Sequence, residues 1–101
     1  MNMDYSLIIK PKAQQDIREA IEWYKEQSEN LPQKLLNRID ECLGRIEQNP
    51  EYYQKRYKDI RIIFTKKFPY GIYYTVEENT VFVHAILHTK QNPETAQKRR
   101  K

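Results

Sequence analysis

His84, His88 and a series of cations interleaved with tyrosines are the residues whose types and spacing could do chemistry. Lys55, Arg56, Tyr57 and Lys58 stand together, Arg61 follows on a β-branched stretch, Lys66 and Lys67 fall at the next break, and Lys90 lies two residues past His88. Cations set among aromatic rings are how proteins hold a phosphodiester backbone while stacking on bases. Each residue also has a plainer use. Lys55 to Lys58 would serve as a solvated loop, and Arg61 would face outward between Ile60 and Ile62. His88 would be a packing histidine sharing a strand face with Phe82, His84 and Ile86.

Other chemistries lack their residues. The only glycines, Gly44 and Gly71, are isolated, so no glycine loop can cradle a phosphate. His84 and His88 lie four positions apart on a strand, too far along it for easy shared ligation of a metal. Ser6 and Ser28 sit in ordinary strand and loop contexts, with nothing resembling a nucleophile elbow. Cys42 is the sole cysteine, which rules out an intramolecular disulfide or a thiolate cluster and suits a reducing compartment. Neither metal nor cofactor is expected. The net charge of +4 suits a polyanionic or acidic partner, or solubility alone. The opening MNMDYSLIIKPK lacks the apolar core of a signal peptide, and no apolar run is long enough to span a bilayer. A soluble cytoplasmic protein with no membrane partner is expected.

The elements that must position these side chains follow from periodicity. With 101 residues the chain suits one domain, and 39% hydrophobic against 32% charged residues is polar yet patterned. Tyr5, Leu7 and Ile9 alternate as a short strand that ends at Lys10-Pro11. Pro11 then opens a helix with Ala13, Ile17, Ala20, Ile21 and Tyr24 on one face and Trp23 at its edge. A break at residues 28–32 precedes a second helix carrying Leu35, Leu36, Ile39, Leu43 and Ile46, which stops before Pro50. Residues 51–59 read as a connecting loop. Residues 60–65, 70–76 and 81–88 have strand composition, and their short connections require an antiparallel meander. Glu77 to Thr80 reads as a hairpin loop with Asn79 in the left-handed conformation. The expected fold is α+β, in the order β-α-α-β-β-β, with the helical hairpin covering one face of the sheet. Residues 1–93 form the domain, and 94–101 form a basic tail, frayed helix or disordered.

IRIIFTKKFPYGIYYTVEENTVFVHAILHTKQNP, residues 60–93, resembles the signature of the RelE/ParE superfamily of type II toxin–antitoxin toxins, which includes plasmid stabilisation proteins. Ala13, Asp16, Ile17, Trp23, Tyr24, Leu35, Ile39, Leu43, Ile46, Asn49, Pro50 and Tyr52 carry the resemblance through the first half. It covers nearly the whole chain, from Tyr5 to Pro93. It implies a toxin neutralised by a cognate antitoxin whose disordered segment folds on binding, with homodimers or toxin–antitoxin heterotetramers as assemblies.

The superfamily divides between ribosome-dependent mRNA endonucleases and inhibitors of DNA gyrase. In the first case His88 falls where some members carry a catalytic histidine, Arg61 could supply charge stabilisation, and the 2′-hydroxyl attack needs no metal. The departures favour the second, ParE-like branch. Gly71 stands where nuclease members typically carry an arginine, and Thr89 where some carry a tyrosine. Losing a main charge stabiliser costs several kcal/mol of barrier. Lys66, Lys67 and Lys90 remain to compensate, and Lys55, Arg56, Tyr57 and Lys58 remain as phosphate or target contacts. A gyrase-binding toxin is the leading expectation; a nuclease using His88 and Arg61, and a non-toxic module retaining the fold, are the alternatives.

Overall fold

A computed structural model of the protein describes residues 5–100. Met1–Asp4 at the start of the chain and Lys101 at the end of the basic tail lie outside the described residues. Strand β1 (Ser6–Ile9) leads through Lys10 into helix α1 (Pro11–Gln27), with Pro11 supplying a φ already suited to the first turn. Helix α2 (Leu31–Gln48) follows after Ser28–Asn30 and ends at Asn49, whose extended φ of −154° precedes Pro50. Strands β2 (Lys55–Tyr57), β3 (Ile60–Phe64), β4 (Tyr70–Glu77) and β5 (Thr80–His88) and helix α3 (Glu94–Arg100) complete the order.

The five strands form one mixed sheet, β1-β5-β4-β3-β2. β3, β4 and β5 make the expected antiparallel meander, and β1 returns as a parallel edge beside β5. The helical hairpin packs on one face, where Leu35, Ile39 and Ile46 meet Ile63, Ile72, Tyr74, Val81, Val83 and Ile86. The other face holds a smaller cluster of Ile60, Ile62, Tyr73, Ala85 and Leu87, closed by Ala96 of α3. Among the described residues no helix is long and apolar enough to cross a membrane.

Four local readings change. The 51–59 loop contains β2, which turns back on β3 through Lys58-Asp59 with Lys58 left-handed at φ 54°. Its Lys-Arg-Tyr composition hides a strand because an edge strand needs no apolar alternation. In the β4–β5 hairpin the left-handed residue is Glu78, at φ 56°, and not Asn79, because Glu77 pairs with Thr80 and leaves a two-residue turn. The basic tail is helix α3, held by the burial of Ala96.

The fourth change concerns β5. Tyr73 pairs with Ala85 but Tyr74 with Val83, so His84 is an extra residue bulging from the strand. Alternation flips there. Val81, Val83 and Ile86 all face the helical hairpin, and His88 follows Ile86 onto that face, opposite to the sheet face of Ala85 and Leu87. Simple alternation would have given His88 the face of His84; an extra residue reverses it.

Candidate functional site

His88 ends β5 in a groove between α1 and the sheet, about 340 Å³ in volume, walled by Asp16, Glu19, Trp23, Tyr70, Ile86 and Gln91 among others. β4 positions Tyr70 directly opposite His88, and their rings meet edge to face at 5.4 Å. The turn after β5 folds back on the histidine. The His88 backbone N–H donates to Gln91 Oε1 at 2.7 Å, and the Lys90 N–H donates to His88 Nδ1 at 3.1 Å. With Nδ1 accepting, the neutral ring carries its proton on Nε2.

Burial, with Tyr24 close by, pushes the Tyr70 hydroxyl up to about 12, so it remains a protonated donor at neutral pH. Trp23 is 56% exposed and rests edge-on against Tyr24 at 4.8 Å. The charged groups walling the groove are the carboxylates Glu19 and Asp16, the latter paired with Arg99. Among the described residues the groove is thus lined by aromatic and acidic side chains, with no lysine or arginine in its wall.

Arg61 lies elsewhere and has another task. It shares the helix-facing side of β3 with Ile63, contrary to the outward position expected for it, and its Nη1 donates to the carbonyls of Glu51 at 2.9 Å and Tyr53 at 2.6 Å. Beside it the Tyr74 hydroxyl donates to the Pro50 carbonyl at 2.7 Å. These three bonds tie the chain leaving α2 to the sheet.

Arg61 pairs with Tyr74, and His88 with Tyr70, four positions along β4 and on opposite sides of it. That separates them by roughly 13 Å along the strands and roughly 10 Å across them. Gly71 adds a further separation. Its missing Cβ faces Phe64 and Ile62 on the α3 side of the sheet, away from His88.

The other candidate cations do not form one patch. Lys66 and Lys67 occupy the β3–β4 turn near the His88 end, where the Thr89 N–H bonds Pro69, and Lys90 is exposed beside them. Lys55 and Arg56 are exposed on the β2 edge, with the Arg56 guanidinium 5.7 Å from the centre of the Phe64 ring. Tyr57 packs partly against the smaller core, and Lys58 turns at the opposite end of the sheet.

Sequence reasoning missed the polar centre that joins α3 to the rest. Asp16, Arg99, the bulged His84 and Ile86 meet at the end of β1, where β5 loses its parallel neighbour. Only the 3.6-residue position of Asp16 beside the apolar stripe of α1 hinted at it.

A strand, a helical hairpin and a meander, with a solvent-facing aromatic groove, define a small α+β protein. A family described as ParE toxin of type II toxin–antitoxin system, parDE, matches residues 7–93, and the chain belongs to that family. Among solved structures it is similar to a chain of the chromosomal ParDE TA system from P. aeruginosa, with a TM-score of 0.71 at 17% identity, covering 85% of this chain and 97% of that one. At that identity the likeness speaks for the fold. A comparison with curated proteins gave no match.

Proposed function

We propose that this ParE-family toxin inhibits growth in the cytoplasm by binding a protein target, DNA gyrase, without a catalytic centre of its own. A cognate antitoxin neutralises it by folding a disordered segment onto its surface. The observation that carries this reading is the separation of Arg61 from His88. A nuclease needs its base and its charge stabiliser at one phosphate, and these two side chains serve different parts of the sheet. The groove around His88 supports the same reading, since exposed Trp23 beside polar groups suits a protein contact.

The test is to express the toxin alone in bacteria and follow thymidine and methionine incorporation over the first minutes. DNA synthesis should fall first, and the purified protein should inhibit supercoiling by gyrase. An early collapse of protein synthesis with cleavage of ribosome-bound mRNA would overturn the proposal in favour of the nuclease. Unimpaired growth on strong expression would instead identify a non-toxic binding module.

A further inference from the structure

At the opposite end of α1 from Trp23, a second cavity of about 350 Å³ is lined by Lys10, Pro11, Lys12, His84, Lys98 and Arg99. Three independent features converge there. The first is charge: four of the six lining side chains are cationic and none is a carboxylate, although Arg99 is already paired with Asp16.

The second is the start of α1, a 17-residue helix whose N-cap Lys10 offers no side-chain acceptor and whose first turn holds no acid. Pro11 has no N–H, and the Lys12 and Ala13 amides of the first turn have no intrahelical partner, at the positive end of the helix dipole. An anion is the complement such a helix start lacks.

The third is His84. The residue is 2% exposed, its Nε2 lies 2.8 Å from the Thr75 hydroxyl, and its Nδ1 is buried with no hydrogen-bond partner among the described residues. If Thr75 donates to Nε2, the proton of the neutral ring sits on Nδ1 as a buried donor without an acceptor. Native proteins rarely leave such a group unmatched. The β5 bulge sets His84 at this position.

We propose that this cavity binds a phosphate group, as inorganic phosphate or a phosphate monoester, between the α1 N-terminus, Lys12, Lys98 and the His84 ring. A phosphate brings several acceptor oxygens and up to two charges, matching amide, ammonium and imidazole donors arriving from different elements. The site is separate from the Trp23 groove and stands whichever target the toxin has.

The test uses the full chain and follows the His84 ring nitrogens by NMR, assigned by comparison with His88→Ala, at constant ionic strength. The probes are inorganic phosphate, a nucleoside 5′-monophosphate, the matching nucleoside and sodium chloride. A saturable shift at Nδ1 is expected with phosphate and with the monophosphate, and none with nucleoside or chloride. Tighter binding of the monophosphate would identify an ester as the ligand, and equal binding free phosphate. Lys12 and Lys98 are exposed, so Lys12→Glu with Lys98→Glu should keep the fold, checked by circular dichroism, while weakening binding about tenfold or more. The proposal falls if phosphate leaves the His84 ring unmoved, if chloride moves it equally, or if the shift survives both charge reversals.

Discussion

Asp16 and Arg99 stand 83 residues apart in the chain, yet Arg99 Nη1 lies 2.6 Å from Asp16 Oδ2, and Nη2 bonds the second carboxylate oxygen at 3.2 Å. The same Oδ2 accepts the Ile86 backbone N–H at 2.9 Å, and Arg99 also reaches the His84 carbonyl at 3.1 Å. One carboxylate therefore completes the β5 edge where β1 stops and fastens α3 across it.

The two partners should differ in how much they matter. Asp16→Ala leaves both the Ile86 N–H and a mostly buried guanidinium unmatched, and should cost about 3 kcal/mol. Arg99→Ala leaves Asp16 with its backbone donor, and should cost about 1.5 kcal/mol while loosening α3. Urea unfolding of both variants checks this. Equal losses would mean that the carboxylate does not serve the strand.

Arg61 and Tyr74 anchor the same turn, so their removal should be felt as stability and not as lost chemistry. Tyr74→Phe strands the fully buried Pro50 carbonyl, and Arg61→Ala frees the carbonyls of Glu51 and Tyr53; each should cost about 1–2 kcal/mol. The double variant should lose less than the sum, because one turn is released in both cases. Arg61→Ala should still arrest growth at a temperature where it is folded, and loss of arrest by a fully folded protein would contradict the assignment.

His84 gives the fold an acid-sensitive element. Burial, then the charges of Lys10 and Arg100, lower its pKa to about 4, against a smaller opposing pull from Asp59 and Glu77. Between the ordinary 6.5 and about 4 the unfolded chain binds a proton that the native ring refuses, so stability from this group falls as pH drops through that window and is constant above it. The full effect is at most about 3 kcal/mol. Asp59, held below the usual carboxylate range by its bond from Arg100, adds acid sensitivity only at lower pH. Denaturant titrations at about pH 7, 5.5 and 4.5 should show a slope that His84→Gln reduces. An unchanged slope in the variant would assign it to other groups.

The helices, the meander and the covering of one sheet face were legible because the stripes of α1 and α2 and the alternation of β3 to β5 repeat over many residues. What stayed hidden depends on single residues or distant partners. One extra residue at His84 turns His88 to the opposite face, and nothing in VFVHAILH marks the bulge. β2 has the composition of a solvated loop, and α3 has that of a tail until Ala96 finds Ala85 and Leu87 across the sheet. Arg61 could be placed on its strand but not on its carbonyl acceptors, which lie eight and ten residues back in a turn without periodicity.

The arrangement around Gly71 separates a gyrase-binding toxin from a nuclease that has lost one residue. A Cβ there would come within 3.2 Å of Phe64 Cε1 and 3.3 Å of Ile62 Cγ2. Phe64 is 47% exposed and can swing aside, but Ile62 is buried. Gly71→Arg should therefore cost about 1–2 kcal/mol and send its guanidinium to the α3 side of the sheet, opposite His88. It should gain no cleavage of ribosome-bound mRNA. His88→Ala should retain growth arrest, whereas Trp23→Ala, which removes a half-exposed ring, should leave the melting temperature nearly unchanged and weaken target binding by about 2 kcal/mol if the groove is the contact. Growth assays, gyrase supercoiling and thermal melts on the three variants are the measurements. Loss of arrest in a stable His88→Ala protein would return the histidine to a catalytic role, despite the carboxylates that wall its groove.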